Sequence, residues 1–299
     1  MRCFGLYLII VWICMINLAG YCSGQVSGQP ANTPTPRGRS VLRSEMSMKE
    51  REKLGKFGRH LPVDFQIPTD DIAKKLLREY GAVFIACNDV KPPNTVVFRD
   101  QNEVSVFQKG LETQKEMIGR MPMTLQAAAM KALIAAINDA KGNGLSITPR
   151  DVDSASRSYD ESVGLWASRV EPALTHWVGK RKITAADAEH IKSLQPFEQV
   201  AEVLQLEKKK IWFAKDLKKS IIYSVAPPGT SQHLSMLAFD VKEYENPKVR
   251  AILAKHRWYQ TVVSDLPHFT YLGEAESELK ELGLKRVKNG GRVFWVPDI

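Results

Sequence analysis

The apolar positions of this chain fall into blocks of different period. An apolar run from Leu6 to Leu18, interrupted only by Asn17, comes first and gives way to Ala19, Gly20, Ser23 and Gly24. From Gln25 to Ser44 the chain is rich in Gln, Ser, Pro, Thr and Arg, and no acidic residue appears until Glu45. That stretch, with the charged segment 46–59 behind it, reads as a tether rather than core. Regular periodicity begins near Leu61. It predicts a helix over 69–80 and strand-like runs over 82–87, 95–99 and 103–107.

Thr124 reads as the cap of a helix that carries Ala129, Leu133 and Ile137 at helical spacing and stops at Gly142-Asn143-Gly144. Residues 146–152 read as extended chain. Val163, Trp166, Val170, Leu174 and Trp177 mark a helix over 160–177, which Pro172 should kink or split. Thr184 and Asp187 form a capping-box pattern, and a further helix is expected over 197–215. Beyond Ile221 the period shortens, giving strands over 221–225, 237–241, 261–263 and 269–272. A helix opened by Asn246-Pro247 runs to about residue 256, an acidic helix covers 274–282, and a hairpin turns at Asn289-Gly290-Gly291. With no internal repeat, the expected class is α+β, helices packed on an antiparallel sheet.

Composition adds the setting. Arg2, the apolar run and the small residues after it follow the order of a secretory signal peptide over residues 1–24. The run is shorter than the roughly 20 residues of a membrane span, so membrane contact is expected only through the leader if it stays uncleaved. Three of the four cysteines, Cys3, Cys14 and Cys22, lie in or beside the leader; Cys87 alone remains and reads as a buried core thiol, with no disulfide framework. The formal net charge of +9 suits an anionic wall or membrane surface, and no nucleic-acid-binding motif is present, so no nucleic-acid partner is expected.

Two of the six histidines have unusual company: Ser231-Gln232-His233 with Asp240 seven residues on, and Asp265-Leu266-Pro267-His268. On a straight helix seven residues rise about 10 Å, and on one regular strand an odd separation places two side chains on opposite faces. His233 and Asp240 can therefore share an ion only if the chain bends between them, with His233 on the entering loop and Asp240 on the strand. Pro227-Pro228-Gly229 supplies a turn ahead of His233. Two histidines and one carboxylate form a catalytic zinc set with a fourth position open to water, whose pKa zinc lowers to about 7. Asp265 is the candidate general base.

Pro228-Gly229-Thr230-Ser231-Gln232-His233 through Ala238-Phe239-Asp240 resembles the Ser-x-His-x-x-Gly-x-Ala-x-Asp motif of the D-alanyl-D-alanine carboxypeptidase and dipeptidase family of LAS zinc metallopeptidases. Asp265-Leu266-Pro267-His268 resembles that family's Glu-x-Trp-His, and Ser156-Arg157-Ser158-Tyr159 its Tyr-Arg-Ser segment. The resemblance covers roughly Thr124 to Gly273. It implies a LAS-like fold and one zinc ion per chain, held by His233, Asp240 and His268. It also implies Asp265 as base, Arg157 as the cation that binds substrate and steadies the oxyanion, and Ser231 as a hydrogen-bonding support. Met236, Asp265 and Pro267 depart from the family's Gly, Glu and Trp, which bears on the shape of the pocket. The implied organisation is a signal peptide (1–24), a linker (25–60), an N-terminal extension (61–123) and a catalytic domain (124–299). The implied substrates are peptidoglycan stem peptides, cut by a carboxypeptidase or an endopeptidase. A wall-binding protein that keeps the fold without turnover is the reading from another class.

Overall fold

The computed structural model describes residues 48–299. Contacts divide the chain into Met1–Leu42 and Arg43–Ile299, and every described residue belongs to the second unit. The expected signal peptide, and the tether as far as residue 47, lie outside the described residues.

Packing begins ahead of Leu61. Residues 48–60 are largely helical, and in α1 (Gly55–His60) Phe57 is fully buried. Gly283, at φ 84°, passes so close that a Cβ there would stand 2.1 Å from the Phe57 nitrogen. Only glycine fits both that conformation and that approach.

The three strands expected between residues 82 and 107 are helical or irregular. After α2 (Asp71–Tyr80), capped by the Asp70 side chain, the run at 82–87 becomes a 3₁₀ helix, Gly81–Ile85, with all five residues buried. A short continuous apolar run satisfies a turn buried on every side as well as a buried strand. Residues 95–99 are irregular. Residues 103–107 lie inside α3 (Gln101–Lys109), where the Asp100 carboxylate accepts from the Glu103 N–H at 2.8 Å; this cap overrides the local alternation.

Periodicity also passed over a hairpin. β1 (Thr113–Ile118) and β2 (Met121–Gln126) pair antiparallel around Gly119 and Arg120. Thr124 therefore belongs to β2, and α4 (Ala127–Gly142) starts without a side-chain cap. α5 (Tyr159–Gly179) runs through Pro172 as one helix, opened by a capping box between Ser158 and Glu161. The expected Thr184–Asp187 box opens α6 (Ala185–Ser193). α7 (Glu198–Lys208) is shorter than expected, because Lys210 at φ 63° turns the chain away. The strand expected at 221–225 is a 3₁₀ turn, Ile221–Tyr223, held where buried Glu207 accepts from the Ser220 hydroxyl and the Ile221 N–H.

The central sheet is antiparallel in the order β3-β5-β4, formed by β3 (Ala238–Asp240), β4 (Trp258–Tyr259) and β5 (His268–Tyr271). α8 (Pro247–Lys255), with Pro247 at its first turn, connects β3 to β4. No strand forms at 261–263, and 274–282 is a string of turns around buried Leu279 rather than a helix. β6 (Leu284–Asn289) and β7 (Arg292–Pro297) make the expected hairpin around Gly290 and Gly291. The architecture is thus mixed helix and antiparallel sheet, with the described strands in three small sheets rather than one. A single core joins Phe57 near the start to Trp166, Phe239, Trp258 and Trp295.

Candidate metal centre

The bend required between His233 and Asp240 is present and has three parts. Gly229, at φ 75°, lies against Phe98, whose N–H donates to the Gly229 carbonyl at 3.0 Å; a Cβ at Gly229 would stand 1.9 Å from the Phe98 carbonyl oxygen. The chain then forms a buried 3₁₀ turn, Gln232–Ser235, and reverses through Met236 in the left-handed region at φ 56° and ψ 29° before entering β3. Met236, which stands where the resembled motif has glycine, is thus held in a conformation that favours glycine. Neither Met236 nor Pro267 lines the cleft, so these two departures act on the backbone rather than on the pocket wall.

Asp240 stands directly opposite His268 in the β3–β5 register. Asp240 Oδ1 lies 3.3 Å from His233 Nε2 and 3.1 Å from His268 Nδ1. The three side chains offer donor atoms all within 4.8 Å of one another, and the two imidazoles cross at 79°. Tetrahedral zinc with nitrogen and oxygen ligands at about 2.1 Å separates neighbouring ligand atoms by about 3.4 Å, close to both distances to Asp240 Oδ1.

The hydrogen bonds around the site fit it as well. His233 Nδ1 lies 2.9 Å from the Ala155 carbonyl oxygen, and His268 Nε2 lies 2.9 Å from Gln232 Oε1. Both partners are acceptors, so each of these nitrogens carries hydrogen. In the neutral imidazoles the opposite nitrogens, His233 Nε2 and His268 Nδ1, are bare lone pairs turned toward the same carboxylate oxygen. Lone pairs that close repel unless a cation lies among them. Burial alone would raise the Asp240 carboxyl; positive charge at the two imidazoles, such as a proton on the nitrogens facing it, outweighs burial and holds Asp240 well below the usual carboxylate range.

Asp265 precedes His268 by one turn, and its carbonyl accepts from the His268 N–H at 3.3 Å. Burial pushes its carboxyl above the ordinary value, against the pull of His268 and with a further push from the Asp240 charge. Arg157 leaves the chain just ahead of the α5 cap. Its side chain is 11% exposed, and it donates from Nη2 to Asp153 at 2.8 Å and from Nη1 to the Ser231 hydroxyl at 3.2 Å. All six residues singled out in the sequence (Arg157, Ser231, His233, Asp240, Asp265 and His268) line one cavity of about 630 Å³.

Asp153, Gln232 and the Ala155 carbonyl escaped sequence reasoning, as did the cleft cations Arg150, Arg169 and Lys215. The capping box Ser158-x-x-Glu161 was the one legible signal near them, since it marks where the Arg157 segment meets its helix.

No family model matches the sequence, and no curated protein matches it. Among solved structures the chain is similar to a zinc-bound point mutant of the vancomycin-resistance D,D-pentapeptidase VanY from a VanB-type cassette. The identity is 15% over 58% of this chain and 86% of that one, at a TM-score of 0.33. So distant a likeness carries no argument, and the centre rests on its own geometry.

Proposed function

We propose that the protein is an exported zinc peptidase that hydrolyses peptidoglycan stem peptides, removing a terminal D-alanine. One observation carries the metal: two imidazole nitrogens each stand about a tetrahedral edge from one carboxylate oxygen, all three within 4.8 Å, while the far nitrogens are tied to acceptors. The substrate class rests on the motif resemblance, and export rests on the leader pattern of residues 1–24.

His233, Asp240 and His268 would hold the ion. Bound there, zinc supplies Lewis acidity to a scissile carbonyl and makes water acidic near neutral pH. Asp265 takes the proton of the attacking water and delivers it to the leaving amine; the burial that raises its carboxyl suits a group that must both accept and release a proton. Arg157, fixed by Asp153 and Ser231, presents its remaining guanidinium edge to the developing oxyanion or to the substrate carboxylate. Arg150, Arg169 and Lys215 stand on the cleft wall beside Asp151 and Asp153, so the wall offers cations to peptide carboxylates without being uniformly positive.

The test is zinc content together with D-alanine release from a pentapeptide stem, for the mature protein, His233→Ala and Asp265→Asn. The expected result is one zinc with turnover, metal lost in the first variant, and metal kept without turnover in the second. Cleavage within stems or cross-links instead of at the terminal residue makes the protein an endopeptidase. Zinc without any turnover makes it a wall-binding protein, and the absence of zinc overturns the site.

A further inference from the structure

We infer that Gln232 is a positioning residue that sets the tautomer of His268 and so aims its Nδ1 at the metal; this rests on the zinc reading above. Gln232 neighbours His233 in sequence, yet its side chain serves the other histidine, on β5. In the motif that this segment resembles, the residue between Ser and His is unspecified, so no role is carried over for it.

The side chain is 3% exposed, and every polar atom has a partner. Gln232 Nε2 donates to the Tyr80 carbonyl at 2.7 Å. A backbone carbonyl can only accept, so this bond fixes which end of the amide points where. Oε1 is thereby turned toward His268 Nε2 at 2.9 Å and Thr270 Oγ1 at 2.5 Å. Thr261 Oγ1 stands 2.6 Å from Thr270 Oγ1. A hydroxyl has one hydrogen, so Thr261 donates to Thr270 and Thr270 donates to Gln232.

The two lone pairs of Oε1 are then filled by the Thr270 hydroxyl and by His268 Nε2–H. An amide oxygen cannot donate, so the hydrogen on that contact belongs to the imidazole. Nδ1 is left bare, 3.1 Å from Asp240 Oδ1. The orientation of one ligand thus traces back through an amide to the carbonyl of Tyr80, the last residue of α2. Acceptors in this outer position hold metal-ligating histidines in register, and their loss weakens metal binding by roughly 10–100-fold.

The test compares the wild-type protein with Gln232→Met, which keeps the length and removes the acceptor, and Gln232→Glu, which keeps an acceptor oxygen. Two quantities are read: zinc affinity by competition with a chelator, and the His268 tautomer in the zinc-free protein by long-range ¹H–¹⁵N correlation at mildly alkaline pH. The expected wild-type spectrum shows His268 protonated at Nε2. Q232M should populate the Nδ1–H form and bind zinc roughly 10–100-fold more weakly, while Q232E, which keeps the acceptor facing His268 but loses the donor to Tyr80, should keep the Nε2–H tautomer. A Q232M protein with an unchanged tautomer and unchanged affinity overturns the proposal. So does an Nδ1–H tautomer in the wild type, a result that needs no variant to fold. If the wild type binds no zinc, the metal reading falls, and the tautomer spectra still decide whether Gln232 controls His268.

Discussion

Asp240 and His268 face each other across β3 and β5, and this cross-strand pair sets Asp240 Oδ1 3.1 Å from His268 Nδ1. With His233 Nε2 at 3.3 Å from the same oxygen, the zinc-free protein holds three electron-rich atoms together. Zinc should therefore stabilise the fold measurably: a ligand at 100 times its Kd contributes about 2.7 kcal/mol. Thermal unfolding with and without a chelator checks this. The expected result is a lower Tm on chelation, restored by zinc and absent in Asp240→Ala; a Tm indifferent to zinc in the wild type would count against the centre.

Met236 makes the reversal between His233 and β3 at φ 56°, where an L-residue is strained by about 1–2 kcal/mol. Met236→Gly relieves that strain and adds roughly 0.5–1 kcal/mol of unfolded-chain entropy, so the variant should be about 0.5 kcal/mol more stable with unchanged zinc affinity. Denaturant midpoints measure it. A lower midpoint would show that the half-buried methionine side chain outweighs the backbone.

The three candidate metal ligands were legible because each lies in a short segment with its own turn chemistry, and the register of two strands brings them together. Pro227-Pro228-Gly229 marks the turn, and the odd spacing of His233 and Asp240 demanded a bend. What completes the site was not legible, because it arrives across the fold: the Ala155 carbonyl lies 78 residues from His233, and the Tyr80 carbonyl 152 residues from Gln232. Elements were least legible between residues 82 and 126. There an all-buried 3₁₀ helix imitates a strand, a capped helix alternates like one, and the β1–β2 hairpin carries Thr113, Gln114, Lys115 and Glu116 with little apolar alternation.

Phe57 gives a stability test for the segment ahead of Leu61. It is fully buried among the core residues and lies against Gly283. Phe57→Ala should destabilise the protein by about 3–5 kcal/mol, read as a shift in denaturant midpoint. A change under about 1 kcal/mol, the range of a surface substitution, would mean that the turn packs only loosely.

Cys87 is half-buried, and its thiol is pushed up to about 11, by burial first and then by the charge and hydrogen bond of Glu274. The thiolate is the reactive form, so near neutral pH this residue presents roughly two orders of magnitude fewer thiolates than a free cysteine. Alkylation should be slow there and accelerate as pH rises toward 11. Glu274→Gln lowers the thiol pKa and should speed alkylation at a fixed pH. Rapid labelling of the wild type near neutrality would contradict the burial.

Arg157 separates charge from shape. Its guanidinium spans two partners, Asp153 at 2.8 Å and the Ser231 hydroxyl at 3.2 Å, while its carbonyl accepts from Gln108 at 3.1 Å. Lysine keeps the charge but offers one nitrogen, which cannot hold both partners and still face a substrate. Arg157→Lys should leave zinc content unchanged and lower kcat/KM on the stem peptide by roughly 100-fold, the scale of losing one oxyanion donor. The division between constants assigns the role. A fall confined to kcat places the guanidinium on the developing oxyanion, and a rise confined to KM places it on the substrate carboxylate. Unchanged kinetics would reduce Arg157 to a structural link between Asp153 and Ser231.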